Sequence, residues 1–464
     1  MKRFSDLNWS FLQIIYLVII FIIGFLFTYF IIPYVIKFMK KRNYIGHDIH
    51  KNSKPEVAES GGLSFVIGFA VTSIFLMVFF ADFINEIIIF LLTVLIAGAI
   101  GFIDDRIKLR SRNKIILSVF SGALIFFANI LGYIDISSPT FPILDRTRLS
   151  IIYPFLIPIL VAIFANTTNM LEGYNGEGSG TILIAVCFLF ISAIIWDSAE
   201  GVIFAVPVIA VLIPFFLYNR YPAKIFPGDV GTLSMGVMVA GIMLFGSIEV
   251  AAFCALFIHI FNSFYVIYSV RGFFESDKIR EGKDDIILLE NDQIKASDKK
   301  EAALTLPRLI LAKGPLTEPK LVKNFYVISV ICGLFAILSV LFTRLTNNSL
   351  NFGVFLIVLI SCMFLIIYLL KKFPRIRGVI TLMLVLLVAS IVYFLLIEFI
   401  IIAVPFSIKL GTINIPVNLI IIFILGIAGL IGWYIISIKY FWFQINKMKE
   451  KTQKTEGVHH EIIS

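Results

Sequence analysis

The sequence predicts an all-α polytopic membrane protein, with a core of about ten spans in residues 1–343 and a C-terminal extension of three spans in residues 344–464. Composition is the first ground. Of the 464 residues, 59% are hydrophobic, and the mean hydropathy is +0.98, well above the usual balance of a soluble domain. Apolar run length is the second. Stretches of 17 or more apolar residues recur from end to end, and about 20 such residues in a helix cross a hydrocarbon layer roughly 30 Å thick. Charge is the third: 33 of the 39 lysines and arginines fall in alternate connections, on one side of the predicted membrane.

Taken in order, the predicted spans lie near 11–37, 61–81, 86–103, 114–131, 151–169, 180–196, 200–217, 230–246, 248–270, 324–343, 352–370, 378–404 and 418–440. The first is too long for a signal-peptide core and lacks a small-residue cleavage site, so it reads as a retained span. The basic connections are 37–60, 104–114, 170–179, 218–229, 271–323, 371–377 and the tail from 439. Their excess of positive charge places them in the cytoplasm, with the N-terminus outside and the C-terminus inside a plasma membrane. The outer connections are short except 132–150, where Ile134, Ile136 and turn residues predict a small hairpin near 133–150. Unusual polar residues end by about residue 323, which sets the boundary between core and extension.

The net charge of +9 follows from this distribution and gives no indication of nucleic acid. Cys187, Cys254, Cys332 and Cys362 stand alone within apolar runs, so they read as core fillers rather than zinc ligands or a disulfide frame.

Four basic-side segments break the apolar pattern. The block Asn166-Thr-Thr-Asn169-Met-Leu-Glu172-Gly-Tyr-Asn175-Gly-Glu177-Gly-Ser-Gly180 follows one apolar run and precedes another. Irregular polar backbone at membrane depth persists where it lines a cavity or is buried in protein. Asp104 and Asp105 end the third span, before basic residues at 106, 108, 110, 112 and 114. Carboxylates at such depth mark function. Phe226-Pro-Gly-Asp229-Val-Gly-Thr232 presents a carboxylate between glycines at the mouth of the eighth span. Mg²⁺ takes one or two protein oxygens and completes its shell with water and phosphates, so Asp229 with an amide oxygen from the 166–180 block would suit it. Lys54, Lys108 and Lys114 add positive charge on this face, and Lys114 begins the fourth span beside Asp104 and Asp105. His47 and His50 lie in an ordinary basic loop with no third metal ligand at suitable spacing. The segment 275–301 mixes both charge signs and reads as solvated and mobile, while 306–318 is less polar and could fold back over a site.

Together these motifs resemble the polyprenyl-phosphate N-acetylhexosamine-1-phosphate transferases. GFIDDR at 101–106, NTTNMLEGYNG at 166–176 and FPGDVGT at 226–232 are similar to three motifs of that superfamily. KPEVAESGG at 54–62 looks especially like its eukaryotic and archaeal members. The resemblance covers roughly residues 10–343. It implies that Asn169 and Asp229 hold Mg²⁺ (Mn²⁺ as an alternative), that Asn175 faces the uracil with Phe226 stacked on it, and that Glu59 lies at the nucleoside end. It further implies that Lys114 contacts the substrate phosphates and that Asp104 and Asp105 shape the acceptor-phosphate site. Lys54, Lys108, Asn166 and Arg308 complete the expected substrate contacts. The chain departs from the pattern at Lys108, which is Asn in eukaryotic relatives, and before Pro307-Arg308, which lacks both their Arg-His-Arg and a bacterial His motif.

The implied reaction moves N-acetylglucosamine-1-phosphate from UDP-GlcNAc to a polyprenyl phosphate of dolichyl type at the cytoplasmic membrane face and releases UMP. The implied partners are those two substrates and the bilayer, with a homodimer compatible and no nucleic acid. Another UDP-acetamido sugar or UDP-MurNAc-pentapeptide is an alternative donor. A secondary transporter is the alternative from a different class, and it predicts polar residues near mid-span rather than clustered on one face.

Overall fold

The computed structural model describes residues 4, 9–141, 145–146, 152–270, 284–403, 407–410 and 413–463. Among the described residues, fifteen helices carry the fold: α1 (Phe11–Lys41), α2 (Gly62–Phe79), α3 (Ile84–Ile107), α4 (Ser111–Ile130), α5 (Ile152–Leu171), α6 (Glu177–Ile195), α7 (Ala199–Asn219), α8 (Gly228–Gly246), α9 (Glu249–Ala255), α10 (Phe257–Val270), α11 (Leu306–Leu311), α12 (Glu318–Thr346), α13 (Phe352–Lys372), α14 (Arg377–Ala403) and α15 (Val417–Ile463). Caps set several boundaries. At α1 Ser10 and Gln13 form a reciprocal capping box, and Lys40 and Lys41 close the last turn. At α7 the Ser198 hydroxyl accepts the Gly201 N–H.

Among the described residues, eleven helices are long and apolar enough to cross a membrane. The ninth predicted span, 248–270, differs from a plain crossing: α9 and α10 meet at a 65° bend. The twelfth, 378–404, falls on α14, of which Arg377–Ala389 is a shorter apolar helix. The hairpin predicted near 133–150 consists of β3 (Thr140–Phe141) paired antiparallel with β4 (Asp145–Arg146). Ile134 and Ile136 lie before it, buried against the helix core rather than alternating along a strand.

The centre of the bundle is α8, whose residues Val230 to Gly246 are all buried. It packs against α3, α5, α7 and α2. By contrast α13 buries only Cys362, the pattern of a helix surrounded by lipid. Two short sheets sit at the end where α3 and α5 finish and α2, α4 and α8 begin. One is the pair β1 (Ile45–His47) and β2 (Glu56–Ala58). The other is β5 (Ile286–Leu288), β6 (Gln293–Ala296) and β7 (Leu316–Thr317) in that order. The segment expected to be solvated and mobile is therefore ordered from residue 284 onward, because β6 buries Ile294 and Ala296 against α11 and α12. Residues 275–283 of that expected segment lie outside the described residues.

Candidate active site

Five helix ends build one polar cavity of about 560 Å³. At the end of α3, the Asp104 side chain accepts the Leu109 N–H at 2.6 Å and so fixes the turn that Lys108 makes at φ +50°. Asp105 points the other way. Its Oδ1 accepts the Asp229 N–H at 2.7 Å, satisfying one of the free N–H groups in the first turn of α8. Two glycines permit this approach. A Cβ on Gly101 would lie 2.3 Å from the Asp229 carbonyl oxygen, and one on Gly228, at φ +64°, would lie 2.5 Å from Asp105 Oδ2.

Lys114, in the first turn of α4, reaches across to both neighbours. Its Nζ lies 2.7 Å from Asp229 Oδ2 and also pairs with Asp104. One ammonium thus bridges carboxylates carried by two different helices. From α5, Asn166 and Asn169 occupy one helix face at i, i+3 spacing. Asn166 donates to Ser118 Oγ and to the Ala162 carbonyl, both at 2.7 Å. Asn169 sits against Asp229. In one amide orientation its nitrogen donates to Asp229 Oδ1 at 2.9 Å. In the other, the amide oxygen itself meets that carboxylate oxygen at the same separation, with Thr232 Oγ1 donating at 3.0 Å. The first arrangement satisfies both amide atoms within the protein, with Lys114 Nζ 3.3 Å from the oxygen; the second turns two acceptors toward each other, as ligands to a shared cation would stand.

The far end of the cavity is built differently. Phe226 is held by its N–H to the Ala58 carbonyl at 2.8 Å, and its ring lies over Gly46, where a Cβ would come to 3.3 Å. Glu59 lies beside the same glycine. The Asn175 side chain, 2% exposed, donates to Asp48 Oδ2 at 2.8 Å and Glu318 Oε2 at 3.2 Å, while its backbone N–H donates to Glu318 Oε1 at 2.7 Å. With the amide hydrogens so engaged, its oxygen is left as an acceptor. Burial alone would raise the Asp48 carboxyl, but bonds from Lys51 and Asn175 outweigh it and hold the group below the usual carboxylate range.

The cavity gathers Glu59, Asp104, Asp105, Lys108, Lys114, Asn166, Asn169, Asn175, Phe226 and Asp229. Two expected substrate contacts fall elsewhere. Lys54 is exposed at the turn between β1 and β2, at φ +42°, outside the lining. Arg308 is 3% exposed and spends its guanidinium on backbone carbonyls of residues 297–303, away from the lining. Sequence reasoning weighed His50 and set it aside, and it missed Asp48 and Glu318; ligand-type atoms of these three residues lie within 4.8 Å of one another. The third group absent at local spacing is Glu318, supplied from the opposite end of the core. Only its position at the first turn of a span could have signalled it.

Glu172 and Glu177 bracket the loop between α5 and α6. Glu177 Oε2 accepts the N–H groups of Gly173 and Tyr174 at 3.1 and 3.2 Å. Glu172 lines the cavity with its Oε2 buried, and burial pushes its carboxyl up to about 8.

Fold and site together define a polytopic membrane protein with a polar cavity at one end of its helix bundle, lined by carboxylates, amides and a bridging lysine. The family model for glycosyl transferase family 4 matches residues 87–247. A provisionally named glycosyltransferase of Methanocaldococcus jannaschii is 31% identical over 329 residues, covering 68% of this chain and 96% of the relative. A provisionally named UDP-N-acetylglucosamine–dolichyl-phosphate N-acetylglucosaminephosphotransferase of Sulfolobus acidocaldarius is 32% identical over 242 residues, 50% of this chain and 72% of the relative. A phospho-N-acetylmuramoyl-pentapeptide-transferase of Streptococcus pneumoniae is 28% identical over 236 residues, 48% of this chain and 71% of the relative. The chain belongs to glycosyl transferase family 4.

Proposed function

We propose that this protein transfers N-acetylglucosamine-1-phosphate from UDP-GlcNAc to a polyprenyl phosphate of dolichyl type at the cytoplasmic membrane face, releasing UMP, as the first membrane step of a lipid-linked glycan. The observation that carries the reading is Lys114 paired with both Asp104 and Asp229, beside Asn169, in one cavity. A site for two phosphorylated substrates needs fixed positive charge beside hard oxygen ligands. The Sulfolobus relative, named for this donor and acceptor, supports the choice of substrates.

Asn169 and Asp229 suit Mg²⁺, since the Asn169 amide lies 2.9 Å from Asp229 Oδ1 and, with its oxygen turned to that side, the two present hard oxygen donors together. When bound there, Mg²⁺ would neutralise pyrophosphate charge. Lys114 adds the protein's own positive charge at the same place. The acceptor phosphate oxygen attacks the β-phosphorus of the UDP-sugar; the bond from that phosphorus to the bridging oxygen breaks, and the electron pair leaves on UMP. A phosphate monoester with a second pKa near 6 is already mostly dianionic at neutral pH. Asp104 and Asp105 therefore contribute by holding Lys114 and the first turn of α8 in place rather than by removing a proton. At the other end, Phe226 offers a ring for the uracil to stack on, and the Asn175 oxygen offers an acceptor to its N–H.

The test is purified protein with Mg²⁺, polyprenyl phosphate and a panel of UDP-sugars, scored for lipid-dependent UMP release. UDP-GlcNAc should be turned over best. Preference for another UDP-sugar would move the donor assignment, and no release with any donor would return the transporter reading to the front.

A further inference from the structure

Among the described residues, none of the C-terminal extension lines the cavity, yet the extension shares a hydrophobic core with the segment that leads into it. Ile294, Leu306, Leu309 and Ile310 pack in one cluster with Trp433 and Phe441. The segment 284–317, which holds β5 to β7 and α11, forms a cap over this core. At its centre is Arg308. Its guanidinium donates to the Ser297 carbonyl from Nε and Nη2, to Lys299 from Nη2, and to Ala302 and Ala303 from Nη1, at 2.6 to 3.2 Å. One flat face lies on the Phe441 ring of α15, 4.4 Å from its centroid. A planar, weakly hydrated cation suits a buried position that combines carbonyl bonds with ring stacking.

Further joints bind the extension to the core and the cap. Trp433 stacks on Tyr265 at 4.7 Å, and the Tyr265 hydroxyl donates to Ser437 Oγ at 2.8 Å. Arg375 donates to the Gly314 carbonyl at 2.6 Å, and Lys313 to the Pro374 carbonyl at 2.9 Å. The cap in turn touches the segments that line the cavity. Asn52 binds the Asp292 carboxylate through N and Nδ2 at 2.8 and 2.7 Å, and it lies four residues from Asp48. β7 runs directly into Glu318, which holds Asn175. Asn262 accepts the Leu306 N–H at 2.9 Å and donates to the Met170 carbonyl at 3.0 Å, next to Asn169.

We propose that the extension fixes the cap, and through it the nucleoside end of the cavity, so that Phe441 and Arg308 are positioning residues for UDP-sugar binding although neither meets the substrate. The inference rests on the transferase reading above. It assigns residues 344–464 a task that the motifs do not reveal, and it explains why Arg308 is turned away from the cavity: its charge organises the loop that Asn52 and Glu318 connect to the site.

The experiment uses the full-length protein with Phe441→Ala, Phe441→Leu and Phe441→Trp, reading hydrogen exchange over 284–317 together with the KM for UDP-GlcNAc and kcat. Phe441→Leu keeps apolar bulk and removes the ring face, which guards against loss of folding in the alanine variant. Loss of the ring should speed exchange in the cap and raise KM about 5- to 10-fold with kcat within about twofold; Phe441→Trp should restore both. Unchanged exchange would overturn the clamp. Faster exchange with unchanged KM, or a fall in kcat at unchanged KM, would overturn its role in nucleotide binding. A wild-type protein that turns over no UDP-sugar would defeat the transferase reading itself, and the role in nucleotide binding with it, while the exchange measurement still decides whether the extension holds the cap.

Discussion

Lys114 Nζ lies 2.7 Å from Asp229 Oδ2, joining the first turns of two helices through residues 115 apart in the chain. Because Asp104 holds the same ammonium from α3, three helix ends meet on one charge. Removing that charge leaves two carboxylates facing each other without a counter-ion. Lys114→Met is therefore expected to lower turnover by about 10²- to 10³-fold, the scale seen when a donor to developing charge is lost. Lys114→Arg keeps the charge and should retain measurable turnover in a protein that still elutes as a folded species.

Asp229 and Asn169 carry the metal proposal. Chelation should abolish UMP release, added Mg²⁺ should restore it, and Mn²⁺ should substitute in part. Asp229→Asn removes the charged ligand, so it should abolish turnover at ordinary Mg²⁺ while leaving nucleotide affinity within about threefold, since the uridine end lies elsewhere in the cavity. Full activity of the chelated wild-type protein would contradict this assignment.

Phe226 acts at that other end. Its ring lies against Gly46, and its N–H is tied to Ala58. Base stacking on an aromatic ring is worth about 1–3 kcal/mol, so Phe226→Ala should raise the KM for the UDP-sugar about 10-fold and change kcat little. A fall in kcat at constant KM would place the ring beside the reacting phosphates instead.

Glu172 gives a pH dependence with a definite sign. Burial pushes its carboxyl from 4.5 up to about 8, so the folded protein binds a proton that the unfolded chain releases. The stabilisation is complete below pH 4.5 and is lost progressively as pH rises through about 8. Its full extent is on the order of a few kcal/mol. Thermal unfolding in detergent should show a falling midpoint between pH 6 and 8, and Glu172→Gln should flatten that slope. An equal slope in the variant would count against a protonated Glu172.

How much of this was legible in the sequence follows from the physics of the membrane. Spans of fixed length send alternate connections to the same end, so Asp104, Asp105, Lys114, Asn169 and Asp229 could be expected to share a face before any contact was known. The pairing of Asp104 and Asp229 with one ammonium, and of Asp105 with the Asp229 N–H, depends on glycine gaps at 101 and 228, which length and hydropathy do not encode. Asp48 and Glu318 meet only because the cap folds back, a contact between segments with no shared motif. Arg308 was expected among substrate contacts because it stands in a family loop. Its partners are carbonyls of its own cap, and the Phe441 ring that covers it comes from an extension without motifs. The bend at Leu256 is hidden for a similar reason, since an apolar run reads alike whether its helix is continuous or broken.

The most direct test of the central claim follows the β-phosphorus. UDP-GlcNAc labelled at that atom, incubated with the purified protein, Mg²⁺ and polyprenyl phosphate, should pass its label into the organic phase as unlabelled UMP is released. Label that stays in water as UDP while sugar enters the lipid phase would show ordinary glycosyl transfer and contradict the account.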